Sequence, residues 1–355
     1  IRYIEGNPEH PVNKGVLCAK GSAGIMNHKA PARLTKPLLR VGERGEGKFE
    51  EIEWEDALQL ATNWLSEVRG KDPSKLAFFT GRDQSQSMTG WWATQFGTPN
   101  FAAHGGFCSV NMAAAGLYTI GGSFWEFGEP DWDLCKYFMM FGVAEDHDSN
   151  PIKAGIGSMK TREDAKFVAV NPVRTAYSAV ADEWVGLRPS TDGLFIGALI
   201  QELLKAGKID VEYLRNYTNA TWLVIDEPGA EDNGLFARDA DGEPLKRDGG
   251  KLSGTETLPD GRKGRAAFEF VVERFMADEY KPENVADQTG IEASRIKRIA
   301  AEMAEAAFEQ TIELDVKWTD WTGKEHDKMI GRPVAIHAMR GISAHTNGFH
   351  TCRMI

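Results

Sequence analysis

At 355 residues with 42% hydrophobic content, the chain can bury a substantial core and is long enough for two or more domains. A formal net charge of −11, with no basic cluster interleaved with aromatics, argues against a nucleic-acid partner. No apolar run reaches the roughly 18 residues that a membrane helix needs, so no direct membrane span is expected.

Residues 1–53 show little periodicity, and Pro8, Pro11, Pro31 and Pro37 mark turns, so they read as a small loop-rich unit. Within it lies Gly15-Val16-Leu17-Cys18-Ala19-Lys20-Gly21, a cysteine with a lysine two positions on, set between glycines. The pattern looks like the last ligand of an iron–sulfur site. A 4Fe–4S cluster takes four thiolates, and the next cysteine along this chain is Cys108. Either Cys18 is an ordinary thiol, or the first three ligands lie upstream of Ile1. The run Ile1–Pro8 reads as mid-domain sequence, and the expectation is a fragment of a larger redox enzyme.

From Glu55 to Arg69, Ala57, Leu58, Ala61, Trp64, Leu65 and Val68 recur at helical spacing. Leu76-Ala77-Phe78-Phe79-Thr80 follows as a short buried strand ending at Gly81-Arg82. Next comes His104-Gly105-Gly106-Phe107-Cys108-Ser109, followed by a good helix start. A thiol at a helix N-terminus favours the thiolate, the form that binds metal; the alternative is a buried structural cysteine. Cys135 and Cys352 have no such setting. The four cysteines are too irregularly spaced for a disulfide framework, and a reducing compartment or individual metal-binding roles suit them better.

Two apolar runs, Tyr137–Phe141 and Lys166–Val170, predict buried strands, with a helix near Pro151–Lys160 between them and a long helix over Leu194–Ala206 after them. This order implies an α/β fold, doubly wound, with largely parallel sheets. Residues 226–263, rich in Asp, Gly and Pro, predict an excursion of turns or short hairpins. Helices resume near Ala266–Ala277 and Glu292–Ala307, with strand-like runs near Thr311–Val316 and Pro333–Met339.

Ligands of open α/β sheets collect beyond the carboxyl ends of the strands. Three polar clusters stand there: Gly142 with Asp146, Asp148, Ser149 and Asn150; Asn171-Pro172 with Arg174; and Arg188 with Thr191, Asp192 and Gly193 at the start of the Leu194 helix. Glycine lets a ligand approach the backbone, a helix N-terminus favours phosphate, and aspartates accept from ribose hydroxyls or guanine nitrogens. Together they read as a nucleotide site, the alternative being polar loops with helix caps. The spacing in Glu145-Asp146-His147-Asp148 matches neither an EF-hand nor a histidine-pair zinc motif.

In this order the pieces resemble the catalytic subunits of the dimethyl sulfoxide reductase family of molybdenum or tungsten bis-pterin oxidoreductases, over essentially the whole chain. The resemblance implies a division into three parts: residues 1–53 a remnant of a 4Fe–4S cluster domain, 54–103 the first part of an α/β domain, and 104–355 a dinucleotide-binding α/β domain incomplete at its C-terminus. It implies Cys18 as a ligand of the 4Fe–4S cluster, Lys20 between that cluster and a pterin, and Cys108 as the ligand of Mo or W. The three strand-end loops would hold bis-molybdopterin guanine dinucleotide.

A cysteine ligand narrows the family to formate dehydrogenases, periplasmic nitrate reductases and the polysulfide, thiosulfate and sulfite group. Formate dehydrogenases typically carry His after the ligand, where this chain has Ser109. Gly90-Trp91-Trp92-Ala93, Gly121–Gly128 and Trp318-Thr319-Asp320-Trp321-Thr322-Gly323 look most like cytoplasmic, membrane-associated sulfite dehydrogenases. The expectation is therefore oxidation of a small oxyanion, sulfite, with electrons leaving to two partners, an iron–sulfur electron-transfer subunit followed by a membrane quinone-reacting one. Arg82 and Arg340 are candidate cations for the dianion. Formate oxidation, polysulfide or thiosulfate reduction, and a non-catalytic electron-transfer scaffold are the alternatives.

Overall fold

Two five-residue runs, Tyr137–Phe141 and Lys166–Val170, form the centre of the larger sheet, and every residue of the first is buried. Successive side chains of a strand point to opposite faces, so both faces of the sheet are covered. The computed structural model describes residues 1–81, 85–123, 130–143, 151–338 and 340–355. These fall into two compact units, the first built on residues 1–123 and 151–155, the second on 130–143 and 156–355.

In the first unit the helix Ala19–His28 follows Cys18, which stands at its N-cap in an extended conformation. The expectation of a loop-rich segment misses this helix for a physical reason: its large apolar residues are only Ile25 and Met26, side by side, and Gly21 and Gly24 weaken any helical pattern. An antiparallel pair, Leu38–Arg40 with Phe49–Glu51, leads to the helix Trp54–Lys71. Glu55 and Asp56 in its first turn and Arg69 and Lys71 in its last complement the helix dipole. Strand Phe78–Thr80 pairs in parallel with Phe101–Ala103, and the helix Gln86–Phe96 connects them. Two further helices, His104–Cys108 and Val110–Ile120, close the unit's main run, the second burying Met112, Ala113, Ala115 and Gly116.

In the second unit the strands of the largest sheet are all parallel, in the order Val334–Ala338, Tyr137–Phe141, Lys166–Val170, Glu183–Val185. The last strand in sequence thus pairs beside the first. Residues 156–159 of the helix Ile152–Met159 belong to this unit, and the helix Asp192–Lys205 packs against Pro282–Thr289 and Ala293–Glu309. The excursion of residues 226–263 lies between strands Leu223–Ile225 and Lys263–Ala266, which pair antiparallel, with Thr255–Thr257 added outside. Two short antiparallel ladders, Ile312–Leu314 with Met329–Gly331 and Trp318–Thr319 with Glu325–His326, complete a mixed fold whose largest sheet is parallel.

The amino ends of the strands are tied by charge. Glu183 accepts from Arg295 at 2.8 Å, Arg298 at 2.6 Å and Lys166 at 3.1 Å, and Lys166 also meets Glu302 at 2.5 Å. Burial alone would raise the Glu183 carboxyl; the three cations outweigh it and hold its pKa at about 2.

Candidate cofactor site

Cys18 is half-buried and Lys20, two residues into the helix, is exposed. The Gly21 backbone N–H beside the sulfur holds the Cys18 thiol below its ordinary pKa, and the neighbouring Lys20 charge adds to this. A thiol so placed becomes a thiolate readily, the form that ligates iron. Burial pushes Cys135 and Cys352 the other way, to about 11. Those two are suited to packing.

Cys108 is the last residue of the helix His104–Cys108, half-buried, and precedes Ser109, the N-cap of Val110–Ile120. This refines the expectation of a cysteine opening one helix, because the chain kinks at Ser109 and makes two. The Ser109 hydroxyl donates to Cys108 Sγ at 3.3 Å.

At the carboxyl edge of the four-stranded sheet the loops are knit together. Gly142 takes φ +65°, and its N–H donates to the Val170 carbonyl at 3.0 Å. The buried Asn171 donates from Nδ2 to the Val143 carbonyl at 3.0 Å and accepts from the Val173 N–H at 3.1 Å. Trp184 Nε1 donates to the Asn171 carbonyl at 3.0 Å, and the Arg174 guanidinium lies 5.8 Å from the Trp184 ring. Pro172, between them, is exposed. The Arg188 guanidinium reaches away to the Asp287 carbonyl at 2.5 Å, closing the end of the helix Pro282–Thr289. Thr191 Oγ1 donates to the Arg188 carbonyl at 2.6 Å. Asp192 and Gly193 open the helix Asp192–Lys205 and are buried, and burial raises the Asp192 carboxyl pKa while nearby His345 opposes the rise.

Asp146, Asp148, Ser149, Asn150 and Arg82 lie outside the described residues, as does 124–128 of the tryptophan-bearing segment Gly121–Gly128. The backbone of Arg340 begins a tight turn, Arg340–Ser343. Trp318 stacks on His326 with ring centres 4.5 Å apart, and Asp320 accepts from His326 Nε2 at 2.9 Å, Tyr217 at 3.1 Å and Thr322 Oγ1 at 2.5 Å. That motif locks a hairpin, and its His326 and Thr322 hydrogen bonds, with burial opposing them, hold the Asp320 carboxyl well below the usual range.

The fourth strand end is not among those the sequence pattern singles out. Beyond Val334–Ala338 the segment 340–354 returns against the same loops. A Cβ on Gly341 would lie 2.9 Å from the Gly142 carbonyl oxygen, and one on Gly193 would lie 2.9 Å from Thr351 Oγ1. His345 Nδ1 hydrogen-bonds Ser190 Oγ at 3.1 Å, and Asn347 Nδ2 donates to the Ser190 carbonyl at 3.4 Å. A signal is present in the chain: an apolar run, then Arg340-Gly341, then the polar stretch His345-Thr346-Asn347-Gly348 before a helix.

Taken unit by unit, the donors fit the groups each could take. A half-buried thiol with a hydroxyl donor suits a metal, Cys18 offers one of the four thiolates of a cluster, and a buried carboxylate beside a helix start suits the N–H edge of guanine. Among the described residues no group of three or more His, Cys, Asp or Glu gathers to hold a metal ion.

A family model described as molybdopterin oxidoreductase matches residues 33–355, and one described as molybdopterin oxidoreductase Fe4S4 domain matches residues 1–28. The chain belongs to the molybdopterin oxidoreductase family. Its cofactors are accordingly a molybdopterin and a 4Fe–4S cluster. A sulfite dehydrogenase subunit of Allochromatium vinosum is 50% identical over 100% of this chain, which spans 39% of that relative's length. The thiosulfate reductase molybdopterin-containing subunit of Salmonella typhimurium is 27% identical over 61% of the chain, and the nitrate-inducible formate dehydrogenase major subunit of Escherichia coli 30% over 67%. The chain covers 28% and 25% of those two. Acetylene hydratase from Pelobacter acetylenicus shares the fold, with a TM-score of 0.63 at 18% identity over 97% of this chain and 38% of its own. No described helix is long and apolar enough to cross a membrane.

Proposed function

We propose that the chain is part of a catalytic subunit that oxidises sulfite to sulfate. The observation that carries this reading is the 50% identity across the whole chain to a sulfite dehydrogenase subunit, against 27% and 30% over about two thirds of it to the thiosulfate and formate enzymes. Ser109, where formate dehydrogenases typically carry His, supports the same branch. In the reaction sulfite gains one oxygen from water and releases two electrons and two protons. The molybdenum cofactor, when bound, supplies that two-electron redox chemistry.

The chain's own residues bind and orient. Cys108 is the proposed metal ligand, with the Ser109 hydroxyl donating to its sulfur from 3.3 Å. Cys18 is the proposed cluster ligand, with Lys20 as the adjacent positive charge. Gly142, Asn171, Pro172, Arg174, Arg188, Thr191, Asp192 and Gly193 are the proposed dinucleotide-binding residues, joined by Asp146, Asp148, Ser149 and Asn150. Arg82 and Arg340 are the proposed cations for the oxyanion. In this reading residues 1–53 are the remnant of the cluster domain, 54–103 open an α/β domain, and 104–355 form the dinucleotide-binding domain. The electrons pass to an iron–sulfur subunit, then to a quinone-reacting membrane subunit, with the complex at the cytoplasmic face of a membrane.

The test is Cys108→Ala in the intact complex. Sulfite-dependent reduction of an artificial acceptor should fall to background, with the circular dichroism spectrum unchanged. Near-normal turnover in that variant would sink the assignment of Cys108.

A further inference from the structure

The loop that opens the helix Asp192–Lys205 is held in an unfavourable shape. Ser190 takes φ +68°, one of two non-glycine residues with positive φ among the described residues. A side chain at such a φ crowds its own backbone, so serine keeps this conformation only where neighbours over-determine it. The neighbours come from the far end of the chain. His345 Nδ1 hydrogen-bonds the Ser190 hydroxyl at 3.1 Å, and Asn347 Nδ2 donates to its carbonyl at 3.4 Å.

The segment bearing these two residues is itself closely fitted. Gly348 has no room for a Cβ, which would fall 2.2 Å from the Ser343 carbonyl oxygen. Gly341 and Gly193 have little more, against Gly142 and Thr351 respectively. Residues 341–351 therefore form a clasp laid across two strand-end loops, Gly142 and Ser190–Gly193. The buried Asp192 lies within electrostatic reach of His345.

We infer that His345 is a positioning residue that holds Ser190 in its left-handed conformation and so presets the Thr191–Gly193 turn for the pterin dinucleotide. The role rests on the proposed assignment of that turn to the cofactor. His345 acts here through the backbone of Ser190. It follows that the need for His345 disappears if residue 190 can take a positive φ without help, which glycine does.

The experiment compares wild type, His345→Ala, Ser190→Gly and the double variant in the full-length complex, with two readouts. The first is amide hydrogen exchange over residues 186–195 in cofactor-free protein. The second is the guanosine monophosphate released by acid hydrolysis after extensive gel filtration of loaded protein. His345→Ala should speed exchange in the turn about tenfold, the equivalent of one net hydrogen bond, and should lower retained nucleotide. The double variant should recover both values toward wild type. Unchanged exchange in His345→Ala would overturn the inference, as would faster exchange that Ser190→Gly does not repair, since His345 would then act by another route. If exchange follows the expected pattern while retained nucleotide is the same in all four proteins, the clasp stands as a loop-holding device, and it is the assignment of Thr191–Gly193 to the dinucleotide that fails.

Discussion

Gly197 lies inside the helix that carries Asp192 and Gly193, and its missing side chain is a packing requirement. A Cβ there would fall 2.2 Å from Tyr280 Cδ1, 2.4 Å from Cε1 and 3.2 Å from Met354 Cε. The ring cannot simply swing aside: Tyr280 is 6% exposed, its hydroxyl accepts from Arg274 at 2.9 Å, and it packs on Phe275 at 5.3 Å. Overpacking of this kind costs about 1–3 kcal/mol, while replacing glycine by alanine within a helix returns about 0.5–1 kcal/mol. Gly197→Ala should therefore destabilise by up to about 2.5 kcal/mol. Gly157, exposed in the helix Ile152–Met159 with nothing within 4 Å of its would-be Cβ, is the matched control. Gly157→Ala should stabilise by about 0.5–1 kcal/mol. At roughly 2–4 °C per kcal/mol for a unit of this size, differential scanning calorimetry should show the two variants shifted in opposite directions. Shifts of the same sign would refute the packing argument.

Acid should weaken the second unit through Glu183. Its carboxyl is held at about 2 in the fold against 4.5 as its ordinary value, so it contributes stability above pH 4.5 that is lost as pH falls toward 2. Glu183→Gln should lower stability at neutral pH and flatten the acid limb in that window, checked by denaturant titrations at several pH values; an unaltered limb would contradict the network. Cysteine reactivity should also split. In protein stripped of its cluster and treated with iodoacetamide near pH 8, Cys18 should alkylate well before Cys135 and Cys352, whose thiols stay protonated up to about 11. Equal rates by mass spectrometry would count against the contrast. Arg174→Ala should loosen the Asn171 loop only modestly, since Trp184 keeps its own hydrogen bond to the Asn171 carbonyl; a loss beyond about 1 kcal/mol would show the stacking to be worth more than a partly exposed cation–π contact.

The central strands were legible because their pattern is local. Tyr137–Phe141 and Lys166–Val170 are short apolar runs bounded by turn residues, and both match the observed strands in type and extent. The helix Ala19–His28 was not, because its only large apolar residues, Ile25 and Met26, are adjacent and set no helical period. The turn-rich excursion was recognised by composition, yet its antiparallel pairing across about 40 residues depends on contacts that no local pattern encodes. The same holds for the site. Three strand ends announce themselves by Gly142, Asn171 and Arg188–Gly193, each just after an apolar run. The fourth, with His345 and Asn347, joins them only because Val334–Ala338 inserts beside Tyr137–Phe141, a pairing set by tertiary packing. Arg188 adds a contact that no local pattern encodes: its guanidinium hydrogen-bonds the Asp287 carbonyl at the end of a helix nearly 100 residues later in the chain.

The most direct test of sulfite oxidation uses the intact, oxidised, anaerobic complex, with the iron–sulfur absorbance followed as substrate is added. Sulfite should bleach that absorbance and formate should not. Bleaching by formate alone would contradict the account and move the protein to the formate branch, with Ser109 left to explain.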